Sequence, residues 1–110
     1  MIILNKTKKT TISGAGKIVS SFLDKNLGLL KKSNPRSLLF KTRFGIHSFF
    51  LKESIDVVVL NKGCKVVKVY ENLKPNRIFF WNPIYDTVLE LPKGTIRKSK
   101  IAAGDLIIFR

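Results

Sequence analysis

Apolar positions recur along this chain with two different periods. Between residues 17 and 31, Ile18, Val19, Phe22, Leu23, Leu27 and Leu30 return at spacings of one, three and four. That spacing predicts a helix with one apolar stripe, leaving Lys17, Ser21, Lys25 and Lys31 toward water. Gly14-Ala15-Gly16 is the turn that starts it, with Ser13 as its cap, and is too short a glycine pattern to mark a phosphate loop. Ser33-Asn34-Pro35 ends the element, because the residue before a proline avoids helical angles.

Elsewhere the period is two or the apolar run is continuous, and both predict strands. Residues 1–5 pair with 8–13, and further strands fall at 37–42, 46–51, 55–60, 64–71, 86–91 and 106–109. Leu60-Asn61-Lys62-Gly63 is the clearest turn, with Gly63 suited to the positive φ of a bulged hairpin. Residues 72–83, with two prolines, read as a long connection, and residues 94–100 as a helical turn. One early helix and seven or eight short strands give an α+β chain. The expected architecture is a mainly antiparallel curved sheet or small barrel with the helix of the N-terminal half packed on it, formed by residues 1–110 as a single domain.

Composition narrows the function classes. Hydrophobic residues make up 45% of the 110-residue chain and aromatics 10%, the balance of a folded globule rather than a disordered tail. No run approaches the roughly 20 apolar residues of a membrane span. Lys6, Lys8 and Lys9 interrupt the N-terminus where a signal peptide needs its apolar region. Cys64, the single cysteine, has neither a second Cys nor a second His to complete a zinc set, and reads as a small residue closing a turn. These features point to the cytoplasm and call for no metal or cofactor.

The net charge of +14 is unevenly spread. Residues 1–43 hold ten Lys/Arg against one acid, residues 44–92 six against five, and residues 93–110 five against one. If the two ends meet in space they make one positive face, built from Lys17, Lys25, Lys31, Lys32, Arg36, Arg97, Lys98 and Lys100, that attracts phosphate backbones. An anionic polymer such as RNA is the partner this charge suggests. A lysine-rich solvated surface is the alternative, and 16 Lys against 5 Arg favours point charges over the forked contacts of specific phosphate readout.

Four segments resemble a known family: Leu27-Gly28-Leu29-Leu30, the pair of runs at 44–50 and 55–60, the segment Val88-Leu89-Glu90-Leu91-Pro92-Lys93-Gly94-Thr95, and Ala103-Gly104-Asp105. With Val66-Val67-Lys68-Val69 and Asn72-Leu73-Lys74-Pro75, their order is similar to that of domain of unknown function 192. The resemblance implies a compact β-rich single domain, of a kind found in archaeal cytoplasm and, with export signals, in bacterial envelopes. It carries over no reaction. Where many members have a tryptophan and a methionine, this chain has His47-Ser48-Phe49-Phe50.

Two constellations bear chemistry. If 46–51 and 55–60 form a hairpin with Phe49 facing Asp56, His47 lies diagonal to Asp56, and a carboxylate that orients an imidazole is half of an acid–base or ligand site. Glu90 and Asp105 would complete an acidic pocket for hydrolysis or metal binding. A one-residue slip in register separates the pair. The structural alternatives are that Asp56 caps backbone amides near the adjacent turn, His47 is half-buried, Glu90 is on the solvent face of an alternating strand, and Asp105 accepts turn amides. The second constellation is Phe79-Phe80-Trp81 with Tyr85 and Arg77, in which Trp81 stacks a base or a sugar ring, or else pins its loop to the core.

Overall fold

The computed structural model describes residues 1–18, 37–43, 45–49 and 51–110. They form ten strands and one short helix: β1 (Ile3–Asn5), β2 (Thr10–Ser13), β3 (Lys17–Ile18), β4 (Leu38–Lys41), β5 (Ile46–His47), β6 (Ile55–Leu60), β7 (Val66–Leu73), β8 (Ile78–Phe79), β9 (Thr87–Pro92), α1 (Thr95–Ser99) and β10 (Ile107–Phe109). A five-stranded sheet in the order β3-β4-β9-β6-β7 lies at the centre, flanked by a three-stranded sheet β10-β1-β2 and a two-stranded sheet β5-β8. All pairings are antiparallel except β3 with β4.

The run Ile55–Leu60 is buried at every position because both faces of its sheet are covered. On one face Val58, Leu60, Leu89 and Leu91 pack against Ile3 and Ile107 of the three-stranded sheet and Ile96 of α1. On the other, Val57, Val59 and Val88 pack against Ile46, Phe79 and Trp81. Each such aliphatic side chain contributes about 1.5–3 kcal/mol when fully removed from water. Pairing inside β6 and β9 sets the faces: Asp56 lies opposite Leu91, and Val57 opposite Glu90.

Several sequence expectations need correction. The sheets do not close into a barrel; the bridge between Lys65 and Leu106 only links the start of β7 to the approach to β10. The helix among the described residues lies near the C-terminus, where a helical turn over 94–100 was expected. Lys17 and Ile18, read as helical, form β3; the rest of the expected helix lies outside the described residues. The hairpin of 46–51 with 55–60 does not form, since β5 pairs with β8 while β6 pairs with β7 and β9. At the turn after β6, Cys64 and not Gly63 takes the positive φ, of 62°, and closes it by donating its N–H to the Asn61 carbonyl at 3.0 Å. The Asn61 side chain makes this feasible by accepting the Gly63 and Lys65 amides.

Gly45 shows where a side chain is excluded. Its φ is +90°, and a Cβ there would lie 2.5 Å from the Phe79 carbonyl oxygen. Only glycine lets the backbone before β5 approach β8 this closely.

Candidate functional site

Asp56 sits in the middle of an apolar strand and is fully buried. Its position is explained by two backbone amides. Across from it, the register of β7 shifts between the partners of Ile55 and Val57, and Asn72 takes a φ of 59°. The bulge turns the Asn72 N–H out of the ladder and onto Asp56 Oδ1 at 2.9 Å. Asp56 Oδ2 accepts the Ile96 N–H at 2.9 Å. Helix α1 begins at Gly94 with no side-chain cap of its own, so a carboxylate from a different strand serves its first turn. Asp56 thus joins β6, β7 and α1.

Asp105 is a second buried carboxylate in its own network. Oδ2 accepts Asn5 Nδ2 at 2.9 Å and the Ala102 N–H at 3.0 Å, and Lys8 Nζ lies 2.9 Å away as an ion pair. Burial acts to raise this carboxyl, but the hydrogen bonds from Asn5, Lys8 and Ala102, with the Lys8 charge, outweigh it and hold the group below its ordinary value.

Glu90 is also buried, which corrects the expectation of a solvent-facing position: β9 is an inner strand and has no solvent face. It projects from the face opposite that of Asp56, as their respective partners Val57 and Leu91 require. His47 is half-buried on β5; its Nδ1 accepts the Phe49 N–H at 3.3 Å and its ring stacks on Phe49 at 4.8 Å. The structure therefore does not bring His47, Asp56, Glu90 and Asp105 into one cleft. Among the described residues, no cluster of His, Cys, Asp or Glu is arranged to hold a metal ion.

The aromatic segment is organised differently. Trp81 is 8% exposed, and its Nε1–H donates to the Tyr85 carbonyl at 2.8 Å, so it pins the loop. Its ring lies 5.8 Å from that of Phe79, which in turn lies 5.1 Å from Tyr70 on β7. The ladder runs from the core to the surface, where Tyr70 is 44% exposed. Beside it is a groove of about 310 Å³ lined by Tyr70, Asn72, Leu73, Lys74, Arg77, Ile78 and Phe79. Lys68 Nζ stands 5.1 Å above the Phe79 ring. Ile78 and Phe80 are exposed at the same edge. Sequence reasoning singled out Arg77 and Trp81 but missed Tyr70 and Lys74. The available signal was the alternation of Lys68 and Tyr70 along β7, which places a cation and a ring on one face.

The cations can now be placed. β1 lies between β10 and β2, so the two ends of the chain are neighbours. The turn after β1 rests on the end of α1: Lys8 Nζ donates to the Lys100 carbonyl at 3.1 Å, and Thr10 Oγ1 to the Ser99 carbonyl at 2.7 Å. Lys6 and Lys9 of that turn are exposed, as are Lys98 and Lys100 of the helix end. Arg97 is exposed, 3.9 Å from Glu71, and Lys17 is exposed on β3. Lys25, Lys31, Lys32 and Arg36 lie outside the described residues. Arg77 reaches only the Asn76 carbonyl among the described residues, at 3.4 Å.

Open sheets around a twice-covered central sheet, with a basic surface and a shallow groove, define a small β-rich protein. It belongs to the DUF192 family, described as Uncharacterized ACR, whose model matches residues 3–109. A UPF0127 protein of Pyrococcus horikoshii is 36% identical over 112 residues, covering 96% of each chain. A UPF0127 protein of Thermococcus kodakarensis is 31% identical over 113 residues, covering 96% of this chain and 71% of the relative. The crystal structure of a protein of unknown function from Novosphingobium aromaticivorans superposes with a TM-score of 0.80 over 98% of this chain and 83% of that one. At 13% identity, that likeness is one of fold. No helix of the described residues is long and apolar enough to cross a membrane.

Proposed function

We propose that residues 1–110 act as one non-enzymatic binding module for an anionic polymer, RNA in particular, in the cytoplasm. The observation that carries this reading is the seating of the turn after β1 against the end of α1, two touching segments that each bear exposed lysines, Lys6 and Lys9 on the turn and Lys98 and Lys100 at the helix end. Lys8, the other lysine of that junction, is engaged by Asp105 and holds the two segments together. With a net charge of +14, the chain has few acids to oppose a phosphate backbone. Lysines suit this task because a point charge contacts phosphates without demanding a base sequence.

The test is fluorescence anisotropy of labelled RNA at several salt concentrations. Each neutralised phosphate of a single strand contributes a slope of about −0.7 in log K against log salt, so engagement of the four lysines gives a slope near −3. Replacing Lys6, Lys9, Lys98 and Lys100 together by Glu should abolish binding and leave the fold intact, since all four are exposed. Absence of affinity for RNA, DNA and polyphosphate at low salt would refute the reading.

A further inference from the structure

We infer that the groove beside β7 selects single-stranded nucleic acid, stacking one base on the Tyr70 ring and holding the adjoining phosphates with Lys74 and Arg77. The inference rests on the polyanion reading above and names the form of polymer that the protein takes.

Tyr70 is the outer end of an aromatic ladder whose inner members are fixed. Trp81 is held by its hydrogen bond to Tyr85, and Phe79 is buried between Trp81 and Tyr70. A ring supported in this way loses little freedom when a base stacks on its open side. The same groove is lined by two cationic residues, Lys74 and Arg77, and by Asn72. Its volume of about 310 Å³ lies at the small end of the roughly 300–1,000 Å³ of ligand sites, enough for a nucleotide unit and too little for a duplex. Bases in a duplex already have both faces covered, so a stacking platform discriminates against them.

The groove and α1 lie on opposite faces of the central sheet and are linked through β7. Asp56 ties Asn72, a groove residue, to the first turn of α1, and Arg97 of α1 lies 3.9 Å from Glu71 on β7.

The experiment compares a labelled single-stranded RNA oligonucleotide with a duplex of the same length, at one salt concentration, by anisotropy. The wild-type protein should bind the single strand about tenfold more tightly, the size of one base–aromatic stack. Tyr70→Ala should remove that preference while duplex affinity is unchanged, and Tyr70→Phe should keep it. Arg77→Glu alters an exposed side chain and so tests the groove even if Tyr70→Ala fails to fold; it should weaken the single strand about tenfold and the duplex little. Equal affinity for the two forms, or a single-strand affinity indifferent to Arg77→Glu, overturns the inference and leaves the polyanion reading standing. Displacement of the single strand by an acidic peptide at equal charge concentration also overturns it. If neither RNA form binds at low salt, the parent reading itself has failed.

Discussion

Asp105 shows how one residue can report on the joining of the chain ends. Its carboxylate is buried yet held below the ordinary value, since donors from Asn5, Lys8 and Ala102 outweigh the effect of burial. A carboxyl lowered on folding contributes stability that is complete above the unfolded value and is lost as pH falls through the folded one. For Asp105 the window therefore starts near the unperturbed value of 3.8 and extends below it. Asp105→Asn should cost about 1.5–3 kcal/mol at pH 7, the usual worth of a hydrogen bond to a charged group. Thermal melts from pH 7 down to pH 2 check this: the gap between wild type and variant should narrow only below about pH 4. A gap that persists to pH 2 would mean that the charge of Asp105 is not what stabilises the junction. At the same scale, Asp105 was legible as an acceptor of turn amides, whereas Glu90 was not legible as buried. Alternation puts a residue on one side of a strand, and only the strand's place in the sheet decides whether that side meets water.

Among the elements, the junction of β6, β7 and α1 depends on Asp56. Asp56→Asn keeps the shape but replaces one of the two acceptor oxygens by a donor, so either the Asn72 or the Ile96 amide is left facing an N–H group. An unsatisfied buried donor costs about 1–3 kcal/mol, and the lost charge-assisted bond adds to it, giving an expected loss of about 2–4 kcal/mol. Urea unfolding should show the midpoint lowered with the slope unchanged; a loss below about 1 kcal/mol would mean that water replaces the carboxylate. Strand β6 was legible end to end, because continuous β-branched and aliphatic residues bounded by turn residues mark a covered strand. Its partners were not. The pairing of β5 with β8 joins residues far apart in sequence, and a two-residue strand leaves almost no periodic trace. The same holds for β3, which pairs in parallel with β4 and was read as the start of a helix. The groove is the product of such pairing: Tyr70 comes from β7 and Phe79 from β8, and neither segment announces the other. Asp56 was legible as a capping group, but its targets came from the β7 bulge and α1 rather than from the adjacent turn.

For the whole molecule, a net charge of +14 acts in two opposing ways. Like charges crowded on a small surface repel, so the fold is least stable at low ionic strength and gains as salt screens them over about 10 Å. The same screening releases a bound polyanion. Without a ligand, the melting temperature should therefore rise by a few degrees between 10 and 150 mM NaCl. With saturating RNA the order should reverse. Ligand at about 100 times its Kd stabilises by about 2.7 kcal/mol, worth roughly 10–20 °C for a chain of this size. That increment should be present at 10 mM salt and absent at 500 mM. Differential scanning fluorimetry of unlabelled protein with and without RNA measures both curves. Curves that lie apart at low salt and converge at high salt identify a positive surface relieved by its ligand. Curves that coincide at every salt would mean that the cations serve solubility, because self-repulsion alone predicts the rise in the free protein but not the gain on adding RNA.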